Sequence, residues 1–333
     1  MKNTHTTLCN FLGIENEGGI SRSQRSIALL KVNLPVLESL VYQYYGIQLK
    51  PTEKRWFAGD GKEIKGSILK GDKRGENILH LVEHESKLAA SHGYYNRKKE
   101  SEKPTLRKVV EASGLLEQKF SFDALHLCPQ TTDLIQSNNG IFMIGLKANQ
   151  KILYKDMVHF SSCFSRVNQL VTTDKGHVRV ETRTYLAYDI SDEYVDKRWD
   201  KSNFQSLFKV IRKTSYLKNG KIIKQSEEEA FYSSNATIDA QNIEEQKKQG
   251  KEYFAAIRGH WSVEVNNHIR EVTLNEDKLF TTKKGIIRVL GGIRTIVINI
   301  LKKINPKNLV AQMELFQDDF NLMLIKLRQI NFL

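Results

Sequence analysis

Between residues 55 and 146, short apolar runs alternate with capped helical stretches, and two of those runs end at an acidic residue. Trp56-Phe57-Ala58 leads into Gly59-Asp60-Gly61-Lys62, a strand that delivers a carboxylate to a glycine turn. Phe120-Ser121-Phe122 runs likewise into Asp123-Ala124-Leu125. Between the two, Pro104 starts a helix over residues 104–113 that Gly114 stops. A short helix near 132–136 and an apolar strand over 141–146 follow. Residues 62–76, basic and dotted with glycine, read as a loop or hairpin, whereas 76–90 fits a buried strand and a helix equally well. Such alternation predicts an α/β core, because strands buried on both faces need helices to cover them.

The flanks are of another kind. Residues 1–20 read as a loose leader rich in Asn, Thr and Gly. Ser21 caps a helix over 21–32, and Asn33 caps a second, with Pro35 in its first turn and Gly46 as its stop. Leu37, Leu40, Val41 and Tyr44 give that helix a small apolar stripe. From 177 to 235 the chain turns β-rich. His177, Arg179, Glu181, Arg183 and Tyr185 alternate with Val178, Val180, Thr182 and Thr184 as a strand with one polar face, and Asn219-Gly220 signs a hairpin. A polar helix starts near Asp239 and becomes amphipathic near Tyr253, and residues 309–327 form a last amphipathic helix.

Charge narrows the partners. Lys and Arg number 51 against 38 Asp and Glu, an excess of +13 that favours a polyanion. The most apolar late stretch, 285–304, carries Arg288, Arg294, Lys302 and Lys303 and is too charged to span a bilayer, so no membrane is expected. Cys9, Cys128 and Cys163 are scattered, and MKNTHTTLCNFLG lacks a secretion signal, which together point to a reducing cytoplasm. Basic clusters fall at Lys62, Lys65, Lys70, Lys73 and Arg74, at 97–103, and between 197 and 224. Trp199, Phe204, Phe208 and Tyr216 interleave the last, as for phosphate contacts with stacked bases or for a plain solvated face.

Two constellations carry chemistry, and a third fails. His260, Glu264 and His268 recur at i, i+4 spacing, so a helix presents Glu264 to the strand-end acids Asp60 and Asp123. Three convergent carboxylates suit two divalent cations about 4 Å apart, and Mg²⁺ prefers such oxygen ligands. His80-Leu81-Val82-Glu83-His84 matches the inverted zinc-peptidase pattern, which requires a helix. Gly61-x-x-x-x-Gly66-Ser67 lacks the lysine of a phosphate loop, so nucleotide hydrolysis has no support.

Asp60-Gly61-Lys62 with Gly66-Ser67, Phe122-Asp123-Ala124-Leu125-His126, Leu146-Lys147-Ala148-Asn149-Gln150, Val180-Glu181-Thr182-Arg183, residues 257–264 (IRGHWSVE) and 272–277 (VTLNED) occur in one order. Together they resemble the DDE insertion-sequence transposases of the H-repeat-associated type, over about residues 55–300. The resemblance implies a ribonuclease-H-like mixed α/β sheet with flanking helices, a β-rich insertion (about 165–238) before the last catalytic helix, and a small helical N-terminal piece. With the helices read at either end, the chain divides into a helical region at 1–50, accessory or DNA-contacting, a catalytic domain at 51–305 and a C-terminal helix at 306–333. It implies that Asp60, Asp123 and Glu264 hold two Mg²⁺ ions, with Mn²⁺ able to substitute. Lys62, Lys65, Arg183, Arg258, His260, Trp261 and His268 would contact DNA or position the last acid. The implied partners are double-stranded DNA, as element ends and as target, and a second copy of the chain when assembled on DNA in the nucleoid. The implied reaction is hydrolysis at the element ends followed by strand transfer from the freed 3′-hydroxyl. An inactive or domesticated DNA-binding relic shares the fold and the charge, and the zinc peptidase stands third.

Overall fold

The strand that carries Asp60, β1 (Trp56–Glu63), lies inside one nine-stranded sheet in the computed structural model. The structure describes all residues except 1, 16–17, 46–48, 50–51, 96–101, 177, 220, 239–241, 280, 282 and 330–333, and the side chains of 2–4, 40–41 and 43–45. The other strands are β2 (Asn77–Glu83), β3 (Ala89–Tyr95), β4 (Lys119–Phe122), β5 (Ile141–Leu146), β6 (Asn168–Lys175), β7 (Arg179–Asp189), β8 (Ser206–Lys218) and β9 (Lys221–Ser234). Their order is β3-β2-β1-β4-β5-β9-β8-β7-β6. Within the first five, β1, β4 and β5 are parallel and only β2 runs against its neighbours, the ribonuclease-H-like arrangement the resemblance implies. The ambiguous segment 76–90 is thus strand, turn and strand. β6 to β9 form an antiparallel meander that continues the sheet, because β9 pairs with β5, Met143 opposite Ser234.

Alternation along β1 assigns the two faces. Phe57 joins Leu106, Val109 and Val110 of α4 (Glu102–Ala112), with Ile135 of α5 (Pro129–Ser137) and Leu153 of α6 (Lys151–Cys163) in the same cluster. On the other face Trp56 meets Tyr253 and Phe254 of α7 (Ile243–Gly259), and Ala58 meets Val263 of α8 (Trp261–His268). Ile287 of α9 (Lys284–Ile304) packs on Ile64 and Ile78.

The N-terminal 20 residues are not all loose: α1 (Lys2–Leu12) is helical and buries Cys9. α2 (Arg22–Lys31) carries a complete capping box between Ser21 and Gln24. α3 (Leu34–Tyr45) is capped by Asn33, whose Oδ1 accepts from Val36 N at 3.3 Å. The expected stop at Gly46, and the side chains of Leu40, Val41 and Tyr44, lie outside the described residues, as do His177, Gly220 and Asp239. α7 begins at Ile243 behind its cap Asn242. The last helix is two, α10 (Leu309–Asp318) and α11 (Phe320–Gln329), broken where the Asp319 carboxylate accepts from Leu322 N at 2.9 Å. On β7 the expected polar face turns inward: Glu181 and Arg183 are buried. Burial is tolerable because Arg183 bonds both Glu181 and Asp174. Among the described residues no helix is long and apolar enough to cross a membrane.

Candidate active site

The parallel pairing of β1 with β4 sets Gly59 opposite Phe122, so Asp60 and Asp123, one residue further on each chain, stand side by side. Asp60 shares its face with Ala58, toward α8. Val263 anchors α8 among Ala58, Val82 and Ala89, small enough for the helix to lie close, and the next residue is Glu264. Asp123, His260 and Glu264 line a cleft of about 350 Å³ with Lys147 and Tyr232. Burial, then the charges of Glu102 and Asp123, push Asp60 up to about 7, with a smaller contribution from Glu264. Glu264 is raised too, by desolvation and then by Asp123. Three acids far apart in sequence therefore feel one another.

Two of the sequence blocks touch. Asn149 Nδ2 donates to Ala124 O and Gln150 Nε2 to Leu127 O, both at 2.9 Å, so Lys147-Ala148-Asn149-Gln150 pins the loop that follows Asp123. A second network sets α8. His84 Nε2 lies 2.8 Å from Ser121 Oγ, and His260 Nδ1 lies 3.1 Å from Ser121 O, an acceptor only, so that nitrogen carries the proton. Burial holds His84 down to about 3 and lowers His260, so both rings are neutral. Gly259, at the break between α7 and α8, is required here: a Cβ would stand 2.2 Å from His84 Nδ1.

The expected DNA-contacting residues divide. Lys62 is 8% exposed and donates to Asp277 at 2.9 Å, and Arg183 is bound by Glu181 and Asp174, so both serve ion pairs within the fold. Lys65, 58% exposed, pairs with Glu271 at 2.9 Å. Trp261 is 55% exposed with the Arg258 guanidinium 5.3 Å above its ring, and His268 is exposed at the end of α8. Pairing across β7, β8 and β9 aligns Arg179, Tyr216 and Lys224, then Arg183, Arg212 and Glu228, on one face, toward Arg258 and Trp261. Arg179 and Lys224 are exposed there, and Lys218 and Lys221 flank the turn. On this face Arg212 pairs with Glu228 and Arg179 lies 3.8 Å from Glu181, and on the opposite face Lys209 pairs with Glu229 and Lys213 with Glu227.

The zinc reading fails. His80-Leu81-Val82-Glu83 is strand, not helix. His80 is buried 3.2 Å from Thr295 Oγ1, and His84 is bound to Ser121. Among the described residues no three His, Cys, Asp or Glu side chains are gathered tightly enough to hold a metal ion as they stand. Sequence reasoning missed two side chains at the site. Asn267 Nδ2 donates to Asp60 Oδ2 at 3.0 Å, and the i+3 spacing from Glu264 was a readable signal. Glu102 gave no signal at all.

No family model matches the sequence. The candidate transposase YncI of Escherichia coli O157:H7 is 25% identical over 266 residues, 75% of this chain and 63% of that protein. The protein YbfL of Escherichia coli K12 is 26% identical over 260 residues, and the H repeat-associated candidate transposase YhhI of the same strain 25%. Each match covers 75% of this chain and 64% of the relative. The chain thus spans just under two thirds of the relatives it matches, and the resemblance to the H-repeat-associated type stands. A solved piggyBac transposase synaptic complex with hairpin DNA aligns with 85% of this chain and 53% of that one, at a TM-score of 0.43 and 12% identity.

Proposed function

We propose that this chain is an insertion-sequence DNA transposase that binds its element ends as double-stranded DNA, hydrolyses them with Mg²⁺ and joins them to target DNA. The observation that carries the reading is the placing of Asp60 beside Asp123 by the β1–β4 pairing, at the edge of the cleft that Asp123 and Glu264 line. Similarity to YncI and YhhI supports it independently. The donor set is all oxygen and its negative charge is concentrated, which fits Mg²⁺, with Mn²⁺ able to substitute. Asp60, Asp123 and Glu264 would hold the cations, which when bound supply charge stabilisation and an activated attacking oxygen.

The chain's own residues do the rest. Asn267 fixes the rotamer of Asp60, and Ser121 fixes His260 beside Asp123. Lys147, Arg258 and the exposed lysines Lys218, Lys221 and Lys224 at the tip of the β8–β9 hairpin meet phosphates, and Trp261 offers a ring to an unpaired base. Water forms a bond to phosphorus and the 3′-oxygen leaves. That hydroxyl then attacks a target phosphodiester in a second in-line displacement, forming a new P–O bond and giving up its proton as the target strand's own 3′-oxygen leaves and takes one up. Pairing two ends calls for at least two copies on the DNA, and a nucleoid location follows from the partner.

The test incubates protein and Mg²⁺ with DNA carrying the gene's own flanks, beside an Asp123→Asn control. Cuts at the flanks that vanish in the control are expected. Normal cutting by Asp123→Asn would sink the assignment, and retention of DNA without cuts by the unaltered protein would favour the inactive binder.

A further inference from the structure

α8 does not stop at His268. It runs on into a π-helical turn, Ile269–Thr273, closed by Leu274 N donating to Ile269 O at 3.0 Å. On the last turn of α8, Asn267 holds Asp60. Three residues on, the Arg270 guanidinium is fully buried: Nε donates to Glu276 Oε2 at 3.0 Å, Nη1 to Thr295 Oγ1 at 2.9 Å and Nη2 to Gly291 O at 3.0 Å. Glu276, also fully buried, is followed by Asp277, whose Oδ1 accepts from Lys62 Nζ at 2.9 Å and from Lys65 N at 3.1 Å. The turns at 65–67 and 276–278 meet closely, since a Cβ on Gly66 would collide with Leu279 O and stand 2.9 Å from Asp277 O. Lys62 lies two residues past Asp60 on β1. The contacts therefore close a ring, from Asp60 through Asn267, Arg270, Glu276, Asp277 and Lys62 back to β1.

Stability alone asks for neither of the two unusual links in this ring. π turns are rare and gather at functional sites. Replacing a buried ion pair by well-packed apolar side chains is often neutral or stabilising. What the ring does is fix a setting: tied to β1 at Asp60 and again at Lys62, α8 and the turn after it can neither slide along the strand nor rotate. Glu264, three residues before Asn267, thereby keeps its place on the cleft it shares with Asp123. We propose that Arg270, Glu276 and Asp277 are positioning residues of the site, a clamp that sets α8 against β1. The role rests on the reaction proposed above, and the clamp itself on the contacts alone.

The experiment compares the full chain with Asp277→Ala and Asp277→Asn. The amide keeps an oxygen for Lys62 and for Lys65 N–H, and the methyl keeps none. Amide hydrogen exchange of the metal-free proteins is read over α7 and α8. Cleavage of DNA carrying the gene's own flanks is read at saturating Mg²⁺ and DNA, at a temperature where all three proteins are fully folded. In Asp277→Ala, exchange over α8 should rise about tenfold or more with α7 unchanged. Its cleavage rate should fall roughly ten- to a hundredfold, with DNA affinity within about twofold of the parent. Asp277→Asn should recover most of both. Unchanged exchange over α8, an unchanged cleavage rate, or a rate that follows the melting point alone would overturn the proposal. If the unaltered protein makes no cuts, yet exchange over α8 rises in Asp277→Ala and recovers in Asp277→Asn, the clamp stands and the reaction reading fails. Should Asp277→Ala not fold, Lys62→Met is read the same way, because it cuts the same link from β1 and keeps the apolar stem.

Discussion

Asp60 is held where an isolated carboxylate would not stay. Its ordinary value is 3.8 and the fold pushes it up to about 7, so between these the native state takes up a proton that the unfolded chain has released. The contribution is therefore present below about pH 4 and lost as pH rises through 7. At about 1.4 kcal/mol per unit, Asp60→Asn should stabilise the metal-free protein at pH 8 by a few kcal/mol and by little at pH 4. Urea midpoints of both proteins at the two pH values check this, and a difference that does not grow with pH would count against it. His84 carries the opposite sign. Its ordinary value is 6.5 and burial holds it down to about 3, so stability is lost as pH falls below about 6.5, by up to about 1.4 kcal/mol per unit. In His84→Gln the acid side of the stability profile should flatten by up to one proton. At this scale Asp60, Asp123 and Glu264 were legible, because each sits in a block whose neighbours also make contacts: Gly61 against Glu102, and Asn149 and Gln150 against the loop after Asp123. Glu102 was not. In Glu100-Ser101-Glu102-Lys103 it looks like any solvated acid, and only the absence of a side chain at Gly61 makes room for it against β1.

Among the elements, strands were read best where a strand is a simple apolar run, as at 141–146. β7 was read with its faces reversed, since pattern alone treats Glu181 and Arg183 as surface, whereas their mutual ion pair permits burial. α1 escaped because its polar, Thr-rich sequence has weak helical propensity and depends on contacts with α11. Gly259 lets the α7–α8 junction pack close on His84, so Gly259→Ala should cost about 1–3 kcal/mol and displace α8. Cleavage should fall by more than stability alone explains, measured at a temperature where the variant is fully folded. The β8–β9 hairpin offers a second test. Reversing Lys218, Lys221 and Lys224 to Glu should weaken DNA binding and reduce the salt slope, by about 0.9 for each phosphate that is no longer neutralised. Reversing Lys213, on the opposite face and paired with Glu227, should do much less. Equal effects from the two faces would remove the hairpin from the DNA path.

Across the whole molecule, the sequence divides at about residue 50, yet the packing crosses that line. Leu37 and Tyr42 of α3 cover Ile296 and Ile300 of α9. Tyr42 also bonds His92 on β3, whose Nε2 lies 3.0 Å from Glu38 Oε1. α9 in turn seals β1 and β2 through Ile287, Ile64 and Ile78. A force on α3 is thus two contacts from the strand that holds Asp60. Deleting residues 2–45 would uncover two isoleucines and leave His92 without Tyr42 and Glu38, a loss on the order of 3–6 kcal/mol from the apolar part alone. The truncated protein should therefore melt on the order of 5–10 °C lower in one broadened transition, and Mn²⁺ should bind it less tightly than the full chain. If it instead kept the parental melting point and metal affinity, the helices would be an appendage, and the boundary drawn from composition would be the physical one.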